Sequence, residues 1–505
     1  MNKLKKYLQD RINLFRDSVA IKTQGNILTY NELDVAATLL ADILGDDNIK
    51  SNIGIYGKRD LFTYKAVLAV IYANKTYVPL NEKNHIQKLQ DIALDANINT
   101  ILSTKDNIDF IRANFPNVKF ILIIDETIEL VKLGKNAYLS GHVGNESHLA
   151  YILFTSGSTG APKGVMVTKE NVLSYIQTKM ALYLFESKLN FSQTAHISFD
   201  ISTFEIFICF SSGGILHIST DNDLLCPSEY IQRNNINVWY SVPTFATIMS
   251  KLQVLEQGCF PSLKYSFFCG EPMPQNLAKQ WIESAKFSLF ENLYGPTEAT
   301  VDVTRFVFKI SNSEVEYYRG ILPLGNAIPN QKLILVDDQG ETIDENDTIG
   351  EILISGSQVC SGYLNNTEKN KETFYADANG TIWYRTGDLA LYIDGNLNYH
   401  SRKDTQIKIG GKRVEIEEIE HTFKSKDLIQ DIIIVAKRDT NGIVSHLVAF
   451  TLEKVDNRQF LKIQHTAAKY IDKLFIPKYI FNIKEYPKTM SGKIDRRALE
   501  EILKV

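Results

Sequence analysis

Apolar positions recur at helical spacing from the start of the chain. Leu4, Tyr7, Leu8, Ile12, Leu14 and Phe15 stand among charged residues, the pattern of an amphipathic helix. The stretch NILTYNELDVAATLLADIL predicts a short strand and then a helix capped by Asn31, with Glu32 in its first turn. IGIYG at 53–57 and ILIID at 121–125 are bounded apolar runs suited to buried parallel strands, and 61–74 predicts a helix between them. From 310 to 400 the pattern becomes short strands (LILVDD, GEILISG, YRTGDLALY) broken by Gly, Asn and Asp, a small β-rich lobe. After about 404, βα alternation resumes: VEIEEIEHTFKS predicts a helix, and DIIIVAKR and HLVAFTLE predict strands. The expectation is an α/β protein with a large N-terminal domain of α/β layers and its β-rich lobe over 1–403. A small α/β C-terminal domain follows over 404–505, joined by a tight hinge.

The chain has 505 residues, 44% of them hydrophobic, and a net charge of −4. That size and balance exclude a disordered chain and allow a core without disulfide staples. A pI near 6.2 gives no reason to expect nucleic-acid binding. Five scattered cysteines, with no CxxC, argue against a disulfide framework or a structural zinc site and predict reduced, buried thiols. No uninterrupted apolar leader is present, and no run approaches the roughly 18 residues of a transmembrane helix. A soluble cytoplasmic protein without stable membrane insertion is expected.

Candidate chemistry begins at 151–164, YILFTSGSTGAPKG, where an apolar run ends in a loop of Gly, Ser and Thr followed by Lys163. Exposed N–H groups and hydroxyls there suit phosphate oxygens, although the spacing is not that of a Walker A loop. Alone, such a loop is as readily an ordinary turn. Five further stretches follow in order: HISFDISTF with Asp200, FCGE with Glu271, NLYGPTE at 292–298, YRTGD with Asp388 leading to RKDTQIKIGG at 402–411, and PKTMSGK ending at Lys493.

Together these motifs resemble the adenylate-forming superfamily, including peptide-synthetase adenylation domains and the stand-alone D-alanine–carrier protein ligases. The resemblance implies ATP and Mg²⁺, a carboxylate joined to AMP, and transfer to a thiol. It implies nucleotide contacts at Thr155, Ser156, Gly157, Ser158, Thr159, Gly160, Lys163, Gly270, Glu271, Asn292, Leu293, Tyr294, Gly295, Pro296, Thr297, Asp388, Tyr399 and Arg402. Catalysis falls to Lys493, Thr297 and Glu298, with Glu298 also the metal ligand and Asp404 the hinge of a mobile C-terminal domain. A cationic Lys493 would stabilise charge developing at phosphorus.

The resemblance lines the substrate pocket with Asp200, Ile201, Phe204, Tyr240, Phe267, Cys269, Val301, Asp302 and Lys493. Asp200 suits an α-ammonium, since an unpaired carboxylate facing an apolar acid is costly; its bland alternative is a helix cap. Bulky walls leave room for a small side chain, alanine, glycine or serine; the resemblance of FCGE, YGPTEATV and VWYSVP to the D-alanine–carrier protein ligases puts D-alanine first, with L-serine, L-alanine and glycine behind it. Asp302 offers an acceptor for a serine hydroxyl. The thiol acceptor implied is a phosphopantetheinylated carrier protein. Two departures keep alternatives open: Ser401 precedes Arg402 where the family usually has Gly, and KIGG is also common in acyl-CoA ligases. A nucleotide-binding scaffold with a retired site is the third reading.

Overall fold

The computed structural model describes residues 2–124, 128–132, 147–155, 162–312, 315–439, 443–488 and 494–503. The first helix, Lys3–Leu14, buries Leu4, Leu8 and Ile12 against the core and leaves Leu14 out, 66% exposed. The second, Tyr30–Leu44, is capped two residues earlier than expected. Thr29, not Asn31, accepts from the Glu32 backbone N–H, and Glu32 returns the bond to the Thr29 backbone, a full capping box. Asn31 instead accepts from the Arg16 guanidinium.

Two large sheets form the core. One runs Ile128–Lys132, Phe120–Ile124, Thr100–Ser103, Asn52–Gly57, Thr76–Asn81, Leu149–Thr155 and Lys163–Thr168, parallel in the middle and antiparallel at both ends. The helix Leu61–Tyr72 is apolar on nearly every face and is accordingly buried nearly throughout, as a crossover between parallel strands demands. The second sheet has nine strands, with Tyr265–Phe268 at its centre between Val238–Ser241 and Leu289–Tyr294. Trp239 and Trp281 pack beneath it, ring centroids 6.1 Å apart.

The β-rich lobe is a six-stranded antiparallel sheet around Ile382–Ile393. The Thr-Gly pair before Asp388 reads from sequence as a turn; it is a bulge inside this long strand. Pairing with Gly350–Gly356 shifts register there, and Gly387 takes φ +71, which a side chain would resist. Asp388 loses its partner on that side but stays paired with Arg402 of the strand Asn396–Arg402. Beyond residue 404 stand the hairpin Gln406–Ile409 with Lys412–Glu415, the helix Ile416–Ser425 and a three-stranded sheet. Residues 407–480 close over their own apolar core around Ile419, Phe423 and Ile434, separate from the core of the large sheets.

Among the described residues, no helix is long and apolar enough to cross a membrane. All five thiols are free. Cys209, Cys269 and Cys360 are buried as expected, while Cys259 is half-buried and Cys226 exposed.

Candidate active site

A cavity of about 2090 Å³ lies where the carboxyl ends of the core strands face the hairpin 406–415. Of the residues singled out in the sequence, Thr155, Asp200, Ile201, Cys269, Gly270, Gly295, Pro296, Thr297, Val301, Asp388 and Arg402 line it. They come from five separate stretches of chain: Thr155 ends a strand of the seven-stranded sheet, 269–270 and 295–301 follow strands of the nine-stranded sheet, Asp200 and Ile201 open a short helix, and Asp388 and Arg402 belong to the lobe. Ser156, Gly157, Ser158, Thr159, Gly160 and Lys493 lie outside the described residues.

Asp200 begins the short helix Ile201–Thr203 but makes no side-chain cap bond to it. Its carboxylate instead accepts from the Thr297 hydroxyl at 2.7 Å. Desolvation pushes the Asp200 carboxyl up from its ordinary value, with the Thr297 bond opposing. Such a group gains from a cationic partner.

At the nucleotide end, Asp388 accepts from the Tyr294 hydroxyl at 2.7 Å and from the Arg402 guanidinium at 2.6 Å. Arg402 also holds Asp404 at 2.6 Å. A carboxylate has four acceptor positions, so two remain for hydroxyl donors. Asn292 gives its amide N–H to the Pro323 carbonyl, and its buried Oδ1 has no hydrogen-bond partner. Thr155 likewise carries a buried hydroxyl without a partner on the cavity wall. Unmatched polar atoms here fit a polar ligand. Leu293 and Tyr294 are buried, and Tyr399 packs half-buried in the lobe.

Glu298 is fully buried, accepting from the Tyr363 hydroxyl at 2.7 Å and pairing with Arg413 at 3.0 Å. Burial alone would raise its carboxyl; Arg413 and the Tyr363 hydroxyl hold it below the ordinary range. Lys163 lies 3.6 Å from Glu415, and burial lowers its ammonium pKa. Glu271 accepts from Thr244 at 2.6 Å and from the Gly411 backbone N–H at 2.6 Å. Gly411 can approach so closely only without a side chain: a Cβ there would stand 2.4 Å from Val242. Thus the hairpin sits directly on the core, with Arg413 and Glu415 facing Glu298 and Lys163. Sequence reasoning passed over Arg413 and Glu415; their signal is their position just after Gly410-Gly411.

Four pocket candidates lie behind the cavity wall. Phe204, Tyr240 and Phe267 are buried and pack edge to face, Phe204 on Tyr240 at 4.8 Å and on Phe267 at 5.4 Å. Asp302 is wholly buried and committed to Lys179, Tyr175 and Tyr240 rather than presented to a ligand. Among the described residues, no group of three or more His, Cys, Asp or Glu could hold a metal.

A layered core, a β lobe and a small terminal domain enclosing a cavity of carboxylates, hydroxyls and cations define a nucleotide-using ligase. The chain belongs to the AMP-binding enzyme family, whose model matches residues 8–364, and it is thus an adenylate-forming enzyme that uses ATP. It is 30% identical to the D-alanine--D-alanyl carrier protein ligase of Staphylococcus haemolyticus (strain JCSC1435), over 98% of this chain and 99% of that one. It is 32% identical to the ligase of the same name from Listeria monocytogenes serotype 4b (strain CLIP80459), over 94% of each. Among solved structures it is similar to the Vibrio cholerae adenylation domain AlmE in complex with glycyl-adenosine-5'-phosphate. The TM-score is 0.85 at 27% identity, over 100% of this chain and 98% of that one.

Proposed function

We propose that the enzyme activates a small amino acid, D-alanine first among them, and loads it onto the phosphopantetheine thiol of a carrier protein. The single observation that carries this reading is Asp200. A carboxylate on the cavity wall, pushed up by desolvation and held by Thr297, is the partner an α-ammonium requires. An apolar acid of an acyl-CoA ligase would leave it unpaired. The relatives named for D-alanine and the neighbour holding a glycyl adenylate support a small side chain.

In the first step the amino-acid carboxylate attacks the α-phosphorus and pyrophosphate leaves. Asp388 would hold the ribose hydroxyls, Thr297 the α-phosphate, and Lys493, by resemblance, the charge between the reacting groups. Mg²⁺, when bound, supplies charge neutralisation at the phosphates. Glu298 is the carboxylate suited to hold it, one carboxylate plus phosphates being a usual Mg²⁺ arrangement. To hold the ion Glu298 would have to release Arg413, which a turn of the hairpin about Asp404 would allow. In the second step the thiol loses its proton, attacks the acyl carbonyl and displaces AMP. The hairpin against Glu298 and Glu271 suits that later stage, because Arg413 then takes up the Glu298 carboxylate.

The test is amino-acid-dependent ATP–pyrophosphate exchange with D-alanine, L-alanine, glycine, L-serine and a short fatty acid. D-Alanine should give the highest kcat/KM, and Asp200→Ala should abolish the response. Exchange with the fatty acid, unaffected by that substitution, would sink the reading.

A further inference from the structure

Behind Cys269 the pocket ends in polar groups, not in open space. Cys269 lines the cavity, and Tyr240 lies behind that wall. Tyr240 donates to Asp302 Oδ2 at 3.0 Å, and Tyr175 donates to the same oxygen at 2.9 Å. The other oxygen takes the Lys179 ammonium; both side chains of that pair have no exposure at all. Lys179 also lies over the rings of Tyr175 and Tyr183, 5.5 and 5.6 Å from their centroids. Tyr175, Lys179 and Tyr183 sit at successive four-residue steps on one face of the helix Lys169–Tyr183.

Asp302 also ends a strained turn. Thr300 and Val301 take φ +52 and +77, unfavourable for β-branched residues. Gln358 ties the turn by donating to the Asp302 carbonyl at 2.9 Å and the Thr300 carbonyl at 3.2 Å. This turn points Val301 into the cavity. The carboxylate therefore holds the Tyr240 hydroxyl just behind the cavity wall, and its own residue ends the turn that places Val301 on that wall. A dry pair of this kind gives little stability over apolar side chains of the same volume, but it fixes position when every acceptor is used.

We propose that Lys179 is a specificity-determining positioning residue: through Asp302 it holds Tyr240 and Val301 as the closed end of the amino-acid pocket, restricting substrates to amino acids with a very small side chain. This rests on the amino-acid-activating reading above. Lys179 touches no substrate; it acts through the wall.

The experiment measures exchange for the wild type and the charge-neutral double variant Lys179→Met/Asp302→Asn with glycine, D-alanine, D-valine and D-leucine. The double variant should lose at least tenfold of its preference in kcat/KM for D-alanine over D-leucine, about the discrimination one or two methylenes carry. The loss should come mostly from a lower KM for the larger substrates, with kcat for D-alanine little changed. A cooperatively melting double variant with an unchanged ratio overturns the proposal. Should that variant not fold, Tyr240→Phe removes the clamp and keeps the ion pair. It should shift the ratio about threefold in the same direction, and an unchanged ratio there overturns the proposal equally. A wild type inert with every amino acid sinks the underlying function instead, which separates the two failures.

Discussion

Two of the buried ion pairs around the cavity are built alike but placed differently. Lys179–Asp302 lies inside the core, both partners sealed from water, with tyrosine hydroxyls completing the carboxylate's bonds. Arg413–Glu298 also has a fully buried carboxylate and a tyrosine hydroxyl, from Tyr363, but its cation comes from the terminal hairpin and its side chain keeps 16% exposure. The first pair can be lost only by unfolding. On the proposed function the second would be exchanged by moving a small domain. Burial by itself therefore does not make an ion pair architectural; what matters is whether both partners belong to one cooperative unit.

The strongest way to break the comparison is Asp302→Ala alone. It strands the Lys179 charge in the core and should cost about 3–5 kcal/mol in denaturant unfolding. Arg413→Ala should cost far less stability, because the hairpin can open and water can reach Glu298. Its effect should fall on the thiol step, at least about tenfold in carrier loading, with pyrophosphate exchange retained, equivalent to about 1.4 kcal/mol. Asp388→Asn tests the nucleotide end, where Asp388 pairs with Arg402; a charge-assisted bond to ribose lost there should raise the KM for ATP about tenfold.

A pH series sharpens the contrast. The Glu298 carboxyl is held below its ordinary value of 4.5, so its pairing contributes above that value and is lost as pH falls through the lower folded value. Stability should thus decline on the acid side, and Glu298→Gln should flatten that limb of the melting profile. The smallest effect belongs to Phe287→Ser, a residue 82% exposed and remote from both pairs, which should stay within about 0.5 kcal/mol of the parent in the same melts.

Asp200, Thr297 and Asp388 were legible in the sequence because each sits in a short string whose neighbours carry the geometry. The alternation of apolar runs likewise predicted the α/β layers. Lys179 was not legible: its partner is 123 residues away, and a lysine among Val172, Tyr175 and Ile176 reads as a break in a stripe until the opposing carboxylate is seen. Arg413 meets Glu298 across 115 residues for the same reason. Asp302 was read as a free acceptor because sequence gives residue type without partners. The bulge at Gly387 was read as a turn because both need a left-handed glycine, and only strand register distinguishes them.

The packing of Trp239 on Trp281 has an optical consequence. The chain has three tryptophans, at 239, 281 and 383, all before residue 404. Intrinsic tryptophan emission therefore reports on the core and the lobe, while the terminal domain contributes none of its own. A single tryptophan placed at the tip of the hairpin would add one signal to a silent body, and its quenching would follow the domain's swing in real time.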